Sequence, residues 1–455
     1  MQTLPNAEVC IDALLSRLGK RISLATPLGI GKPNHLLNAL YRRAKADRSL
    51  ELTIHTGLTL QKPAGHSELE RRFLGPILER VFGDYPDLEY ELDRAAGRLP
   101  PNVRVVEFYL VAGKYLKNPQ AQRDYIASNY THVARDLLSR GLNAVLQQVS
   151  AGVVAGRPRL SLSCNPDLSV DLLHGLRQRG GTFVTAAQIN DKLPFMYGDA
   201  ELAPDTFDFV VDDPAGSYAL FAAPKQAVSA DEAMIGLYAS TLVKDGGELQ
   251  VGIGALGDAL TYALELRHDD NERYRRVLGE LGVFERFGGV LEAVGDTREF
   301  QRGLFAASEM LVDGFMHLYE AGILKRKVYD DLTLSRLLNA GRIDERVTPE
   351  LLDLLRAHKG IHAVLTEEDL GYLQHFGILQ PSLRFDAGRV LLPDGRSFLP
   401  DTTAPEFREA LLPYFGERLD RGAVIHAGFF VGPNEFYDWL RGLPEDERRL
   451  ISMRS

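Results

Sequence analysis

A glutamate closing an apolar run is the residue of this chain best placed to do chemistry. Residues 303–322 read Gly-Leu-Phe-Ala-Ala-Ser-Glu-Met-Leu-Val-Asp-Gly-Phe-Met-His-Leu-Tyr-Glu-Ala-Gly. The pattern predicts a short buried strand over 304–307, ending on Ser308-Glu309. A helix is expected from Met310 onward, with Phe315, Leu318 and Tyr319 as its apolar residues. Open α/β sheets bind their ligands at the carboxyl ends of strands. Glu309 is therefore the candidate nucleophile, although a Glu at such a junction is more often a cap or an ion-pair partner. Asp313, one helical turn on, suits either an interaction with Glu309 or a turn before Gly314.

Two glycine loops form the second chemical signal. A strand over 21–28 leads into Gly29-Ile30-Gly31, and a helix over 35–46 follows with Leu36, Leu37, Leu40, Tyr41 and Ala44. A glycine loop before a helix N-terminus can hold an anion. This one is neither a Walker loop nor a dinucleotide fingerprint, because Pro33 intervenes and Asn34 stands where a third Gly belongs. Gly252-Ile253-Gly254, ahead of another leucine-rich helix, repeats the design. The strand after each loop aligns loosely too, with Gly57 in the first half where the second has Glu309. An internal duplication, with chemistry kept in one copy, accounts for both.

The elements that would position these residues alternate. Strands are expected at 50–60, 103–111, 143–149, 160–164, 182–188 and 207–211, with helices at 67–81, 130–139 and 168–179. Residues 150–156 are expected to be a flexible loop, and His55 and His426 hydrogen-bonded core histidines. The alternation predicts α/β architecture with largely parallel sheets. A turn-rich stretch from Asp212 to Ser217 divides an N-terminal domain, 1–220, from a C-terminal one, 225–455. Charged helical insertions are expected at 261–302 and 325–385, then a hairpin with an Asp394-Gly395 turn. A strand at 423–430, a helix at 433–443 and the start of a strand near 449 close the chain, so the C-terminal domain is expected to be incomplete.

Composition narrows the function classes. Over 455 residues, hydrophobic content is 45% and charged content 25%, as in globular proteins. A formal net charge of −10 argues against a nucleic-acid partner. Two cysteines, Cys10 and Cys164, provide no disulfide framework and suit a reducing compartment. No signal peptide or long apolar run is seen, so a cytoplasmic location without membrane contact is expected. No spacing of His, Cys and carboxylates matches a metal site, and none is expected.

Five places in this order resemble the acetyl-CoA hydrolase/transferase family, which belongs to the family I CoA-transferases. They are residues 29–41, 161–173, 190–211, 249–260 and 308–322. The specific pair is Leu249-Gln250-x-Gly-Ile-Gly-Ala-x-x-Asp258-Ala-Leu with Ser308-Glu309-Met310-x-x-Asp313-Gly314. The resemblance implies two related CoA-transferase-like (NagB/RpiA-like) parallel-sheet domains with the active site between them. It implies that Glu309 is the catalytic glutamate and that Gly252, Ile253, Gly254 and Ala255 turn backbone amides toward a thioester oxygen. Gln250, Gly29 and Gly31 are candidate substrate contacts, although Gln250 suits solvent as well as the acyl group, and glycines at 29 and 31 more often serve chain geometry than a ligand. Coenzyme A enters as a substrate, with no permanently bound cofactor; the partners are an acyl-CoA and a carboxylic acid, and a homodimer is left open. The expected reaction is CoA transfer to a small carboxylic acid through a glutamyl-CoA on Glu309. The alternatives are hydrolysis of acetyl-CoA or another acyl-CoA by the same glutamate, and a truncated, non-catalytic chain. Members of the family continue into a Gly-Val-Gly-Gly-Gln type motif that contacts CoA, and no such motif occurs here.

Overall fold

Short apolar segments bounded by turns build two parallel sheets and one small antiparallel sheet. The computed structural model describes residues Met1–Ser455. Strands appear in the order β1 (Gln2–Leu4), β2 (Arg21–Leu28), β3 (Glu51–Gly57), β4 (Val103–Tyr109), β5 (Ala144–Val154), β6 (Arg157–Ser161) and β7 (Val184–Ile189). Next come β8 (Tyr197–Gly198), which leaves for the second sheet, β9 (Glu201–Leu202) and β10 (Phe209–Val211). The first sheet has the order β1-β10-β7-β5-β2-β3-β4, with every neighbouring pair parallel. β6 and β9 add an antiparallel extension to β5.

From the adjacent pair β2 and β5 the order runs outward through β3 and β4 on one side and through β7 and β10 on the other, where β1 forms the edge. That reversal opens a crevice beyond the carboxyl ends, where the chain connections part to opposite faces. The sheet is fixed by a core of Leu24, Ile54, Leu146 and Ala186, covered by Leu36, Leu37 and Leu40 of the helix Asn34–Ala46. An amphipathic helix, Ala7–Leu18, adds Cys10, Ile11 and Leu14.

The expected loop at 150–156 is instead a hairpin between β5 and β6. Val154 pairs with Arg157, and the two-residue turn holds Ala155 at φ +49° and Gly156 at φ +73°. A left-handed pair is the turn that matches strand twist, and Gly156 supplies the permissive position.

The second sheet starts with β11 (Glu248–Leu249) and β12 (Phe305–Leu311), separated by helices Ala255–Asp269, Asn271–Glu280 and Val283–Val294. The chain then forms a compact unit of its own, Lys325–Val424. This unit holds β13 (Arg384–Asp386), β14 (Arg389–Leu391) and β15 (Ser397–Phe398) in an antiparallel sheet, beside helices such as Leu332–Asn339 and Glu367–His375. Leu334, Leu355, Leu373 and Phe407 are among its buried residues. The segment expected at 325–385 as a helical insertion is thus the first part of this unit, which also takes the hairpin.

The other compact unit comprises Met1–Leu324 and Ile425–Ser455, and it resumes with β16 (Ile425–Phe430) and β17 (Ile451–Met453). The second sheet has the order β11-β12-β16-β17-β8, all parallel. A cut between Asp212 and Lys225 separates the two sheets except for β8, an early strand that completes the later sheet. The fold class is α/β with parallel sheets. No helix is long and apolar enough to cross a membrane.

Candidate active site

The expected helix start at Met310 is corrected: β12 runs on to Leu311, and the helix begins at Asp313. Pairing decides this, since Met310 opposes Phe429 and Leu311 opposes Phe430 in the ladder with β16. Glu309 therefore sits inside the strand near its carboxyl end, with an exposed side chain between buried Ser308 and half-buried Met310. Gly428 lies across from it. A Cβ added there would stand 3.1 Å from the Glu309 carbonyl oxygen.

Glu309 lines a cavity of about 390 Å³ together with Gly29 and Ile30 from the loop after β2. Leu58 and Leu60 follow β3, and Tyr109 ends β4. From the second sheet come Met310 and the β16 end, Phe429, Phe430 and Val431. The cavity thus joins the carboxyl ends of both sheets, at the strand-order reversal of the first.

The wall beside Gly29 is built with little tolerance. Gly29 has φ +61°. A Cβ on Gly31 would strike the Asn165 side chain and approach Pro27 Cγ to 2.9 Å, so Gly31 lies buried behind the surface and lets Asn165 reach the cavity. Leu58 adopts φ +48°, a conformation uncommon for a residue with a side chain. Its N–H donates to the Tyr109 carbonyl at 2.8 Å, and its carbonyl accepts from Lys32 Nζ at 3.2 Å.

Lys32 is buried, at 1% exposure. Its ammonium also donates to the Gly57 carbonyl, and reaches the Gly29 carbonyl at 3.5 Å. It ties the loop after β2 to the end of β3. Burial pushes it down to about 7, against the opposing pull of Glu107.

Tyr130 and Asn165 also line the cavity, and both turn their polar atoms toward Asp167. The Tyr130 hydroxyl donates to the Asp167 carboxylate, and Asn165 Nδ2 donates to Asp167 Oδ1 at 3.3 Å. The Cys164 thiol donates to Asn165 Oδ1 at 3.0 Å. The Tyr130 ring packs edge-on against Phe429, centroids 5.9 Å apart. Desolvation lifts the Asp167 carboxyl to about 7, with the Tyr130 and Asn165 bonds opposing. Burial pushes the Tyr130 phenol well up, and the negative charges of Asp167 and Glu309 add to it.

The Asp167 shift makes a stability prediction. The folded state holds a proton that the unfolded chain has lost between pH 3.8 and about 7, so this group's contribution is full below that window and is lost as pH rises through it. Asp167→Asn lacks this component. Wild-type melting temperature, minus that of the variant, is expected to fall by several degrees between about pH 4.5 and 7.5. A difference constant with pH contradicts the assignment.

The remaining expected site residues lie at the same end of the second sheet, outside the lining of this cavity. Leu249 pairs with Ala306, so the exposed Gln250 and the loop at 252–255 continue beside the strand that carries Glu309. Gly252 and Ile253 are exposed, Gly254 has φ +120°, and Ala255 opens the helix Ala255–Asp269. Gly257 is required there, because a Cβ would collide with the Gly252 carbonyl. The two aspartates of the paired motifs meet at one cation. Lys225 Nζ lies 2.7 Å from Asp258 and 2.6 Å from Asp313. Asp313 is therefore bound to Lys225, clamping the helices that follow β11 and β12.

Sequence reading passed over Lys32, Tyr130, Asn165 and Asp167. Asn165-Pro166-Asp167 carries a helix-start signal that could have drawn attention to it. Tyr130 and Lys32 carry none, since their partners come from distant segments.

No family model matches the chain, and no curated protein sequence matches it. Among solved structures, the chain is similar to RipA from Yersinia pestis, at 16% identity and a TM-score of 0.52, over 100% of this chain and 68% of that one. It matches the structure of a RipA point mutant at 16% identity and a TM-score of 0.52, over 100% of this chain and 66% of that one. The chain therefore covers about two thirds of the length of these proteins. A 4-hydroxybutyrate CoA-transferase from Porphyromonas gingivalis aligns at 14% identity over 100% of this chain and 67% of that one, with a TM-score of only 0.45. What the chain shares with RipA is its fold.

Proposed function

We propose that this chain carries a CoA-transferase site of the acetyl-CoA hydrolase/transferase kind, with Glu309 as nucleophile. One observation carries the reading: the motif glutamate lines a cavity at the carboxyl ends of two parallel sheets, facing the glycine loop of the first. A carboxylate attacks a thioester carbonyl without a general base, and covalent catalysis divides the exchange into easier steps. Glu309 Oε forms a bond to the acyl carbon and the C–S bond breaks, giving an acyl-glutamyl anhydride and CoA thiolate. The thiolate then attacks the glutamyl carbonyl, releasing the acid and leaving a glutamyl-CoA thioester. An incoming carboxylate reverses these steps.

Each step gathers negative charge on a carbonyl oxygen. The loop of Gly252, Ile253, Gly254 and Ala255 stands at the N-terminus of a helix, where free backbone N–H groups stabilise such charge. Loss of one donor of this kind costs about 10²–10³ in rate. Gln250 and Gly29 are the proposed substrate contacts, and Gly31 supports the wall behind them.

The test is intact mass after incubation with short acyl-CoAs. An adduct of the mass of CoA less water, mapping to the peptide around Glu309, is the expected result. Folded protein without any adduct argues against the reading. Comparing thiolate release with and without an added acid then separates transfer from hydrolysis.

A further inference from the structure

We infer that the cavity beside Glu309 accepts an apolar acyl group with no second charge and turns away diacid thioesters. The inference rests on the proposed role of Glu309 and assigns a substrate class to the same site.

The walls give the first reason. Leu28, Ile30, Leu58 and Leu60 line it, together with Phe221, Phe429, Phe430 and Val431. At roughly 30 Å³ per heavy atom, the share of a water molecule in the liquid, 390 Å³ holds about a dozen atoms. That accommodates the thioester, the adjoining cysteamine end and an acyl chain of about six to eight carbons.

The second reason is what the polar groups are already doing. A terminal carboxylate entering this space needs a cation or several free donors. No Lys or Arg lines the cavity. The buried cation behind the wall, Lys32, is spent on the carbonyls of Gly29, Gly57 and Leu58. Tyr130 and Asn165 both donate to Asp167, an acid. Tyr109, 52% exposed, offers one neutral hydroxyl. Lys62 and Lys114 line an adjoining hollow that shares Leu60 and Phe221, and Lys114 is bound to Glu91 at 2.7 Å. An entering carboxylate would meet apolar walls, a penalty that persists in Glu309→Gln; in the wild type the negative charge of Glu309 adds to it. Discrimination of this kind works by leaving a buried charge unpaired.

The test uses the full chain carrying Glu309→Gln, which cannot turn over, with calorimetric titration of acyl-CoAs that share the same CoA contacts. Affinity is expected to rise about four-fold per methylene from acetyl- to hexanoyl-CoA. Succinyl-CoA should bind at least ten-fold more weakly than pentanoyl-CoA, which is of similar size. Adding Leu60→Arg should narrow that gap by supplying a cation to the wall. Succinyl-CoA binding as tightly as pentanoyl-CoA, or a flat series from acetyl to hexanoyl, overturns the inference. So does failure of every thioester to bind. The graded series in Glu309→Gln, with no adduct on the wild type, keeps the substrate class and sinks the nucleophile. Wild-type adducts formed at equal rates from every acyl-CoA do the reverse.

Discussion

Glu309→Gln is expected to lower CoA transfer by roughly 10³-fold or more and to abolish the covalent adduct, with almost no change in stability. Glutamine keeps the shape and loses the carboxylate proposed as the nucleophile. Glu309 is exposed at the cavity edge, and replacements at such positions usually shift stability by less than about 0.5 kcal/mol. The measurement is a thiolate-release assay beside a melting curve of the same sample. A folded variant with activity within ten-fold of wild type removes Glu309 from the mechanism. An unfolded variant would mean that the glutamate has a structural role that its exposure does not suggest.

The second large effect is expected at Lys32. Lys32→Met is of similar length but leaves three backbone carbonyls without their shared donor, at the point where the loop after β2 meets the end of β3. Leaving a buried acceptor without its donor costs about 1–3 kcal/mol. Acyl-CoA binding should weaken as well, because Leu58 at φ +48° loses one of its two restraints.

The pH dependence distinguishes this from simple loss of packing. Burial holds the Lys32 ammonium near 7 against 10.5 when unfolded, so the unfolded chain binds the extra proton between those values. Wild-type stability from this group is present above pH 10.5 and is lost as pH falls through that window. Urea midpoints measured at about pH 7 and pH 9.5 should therefore diverge between wild type and variant at the higher pH. Parallel midpoints contradict the assignment.

Much of this architecture is legible in the sequence because it is local. The run over 21–28, the glycine loop and the leucine-rich helix each announce themselves by period and composition. So does the parallel character of the sheets, since strands alternate with helices. Glu309 was legible as a residue but its setting was not: Met310 and Leu311 look helical until Phe429 and Phe430 arrive to pair with them. The hairpin at residue 155 shows the same limit, because β6 is what makes a strand of residues 150–154. The wall residues were hidden for a stronger reason. Lys32 is buried only because Gly57 and Leu58 offer carbonyls, and Tyr130 is polar at the cavity only until Asp167 takes its hydroxyl. Such satisfaction depends on segments tens of residues apart and leaves no local pattern.

The placement of β8 also sets a timetable for folding. Tyr197–Gly198 pairs with Ser452 and Met453, and the Ser455 N–H donates to Asp199 at 3.0 Å across 256 positions. At about 5–20 residues per second, a ribosome takes roughly 13–50 s to deliver that partner. Until then an early strand waits with unpaired edges while the first sheet around it can already close. Non-local pairing of this span is slow as well as late. The sheet that carries Glu309 is therefore completed later than the first sheet, and newly made chains should pass through a state in which the glycine loop is formed and the second sheet is not yet closed.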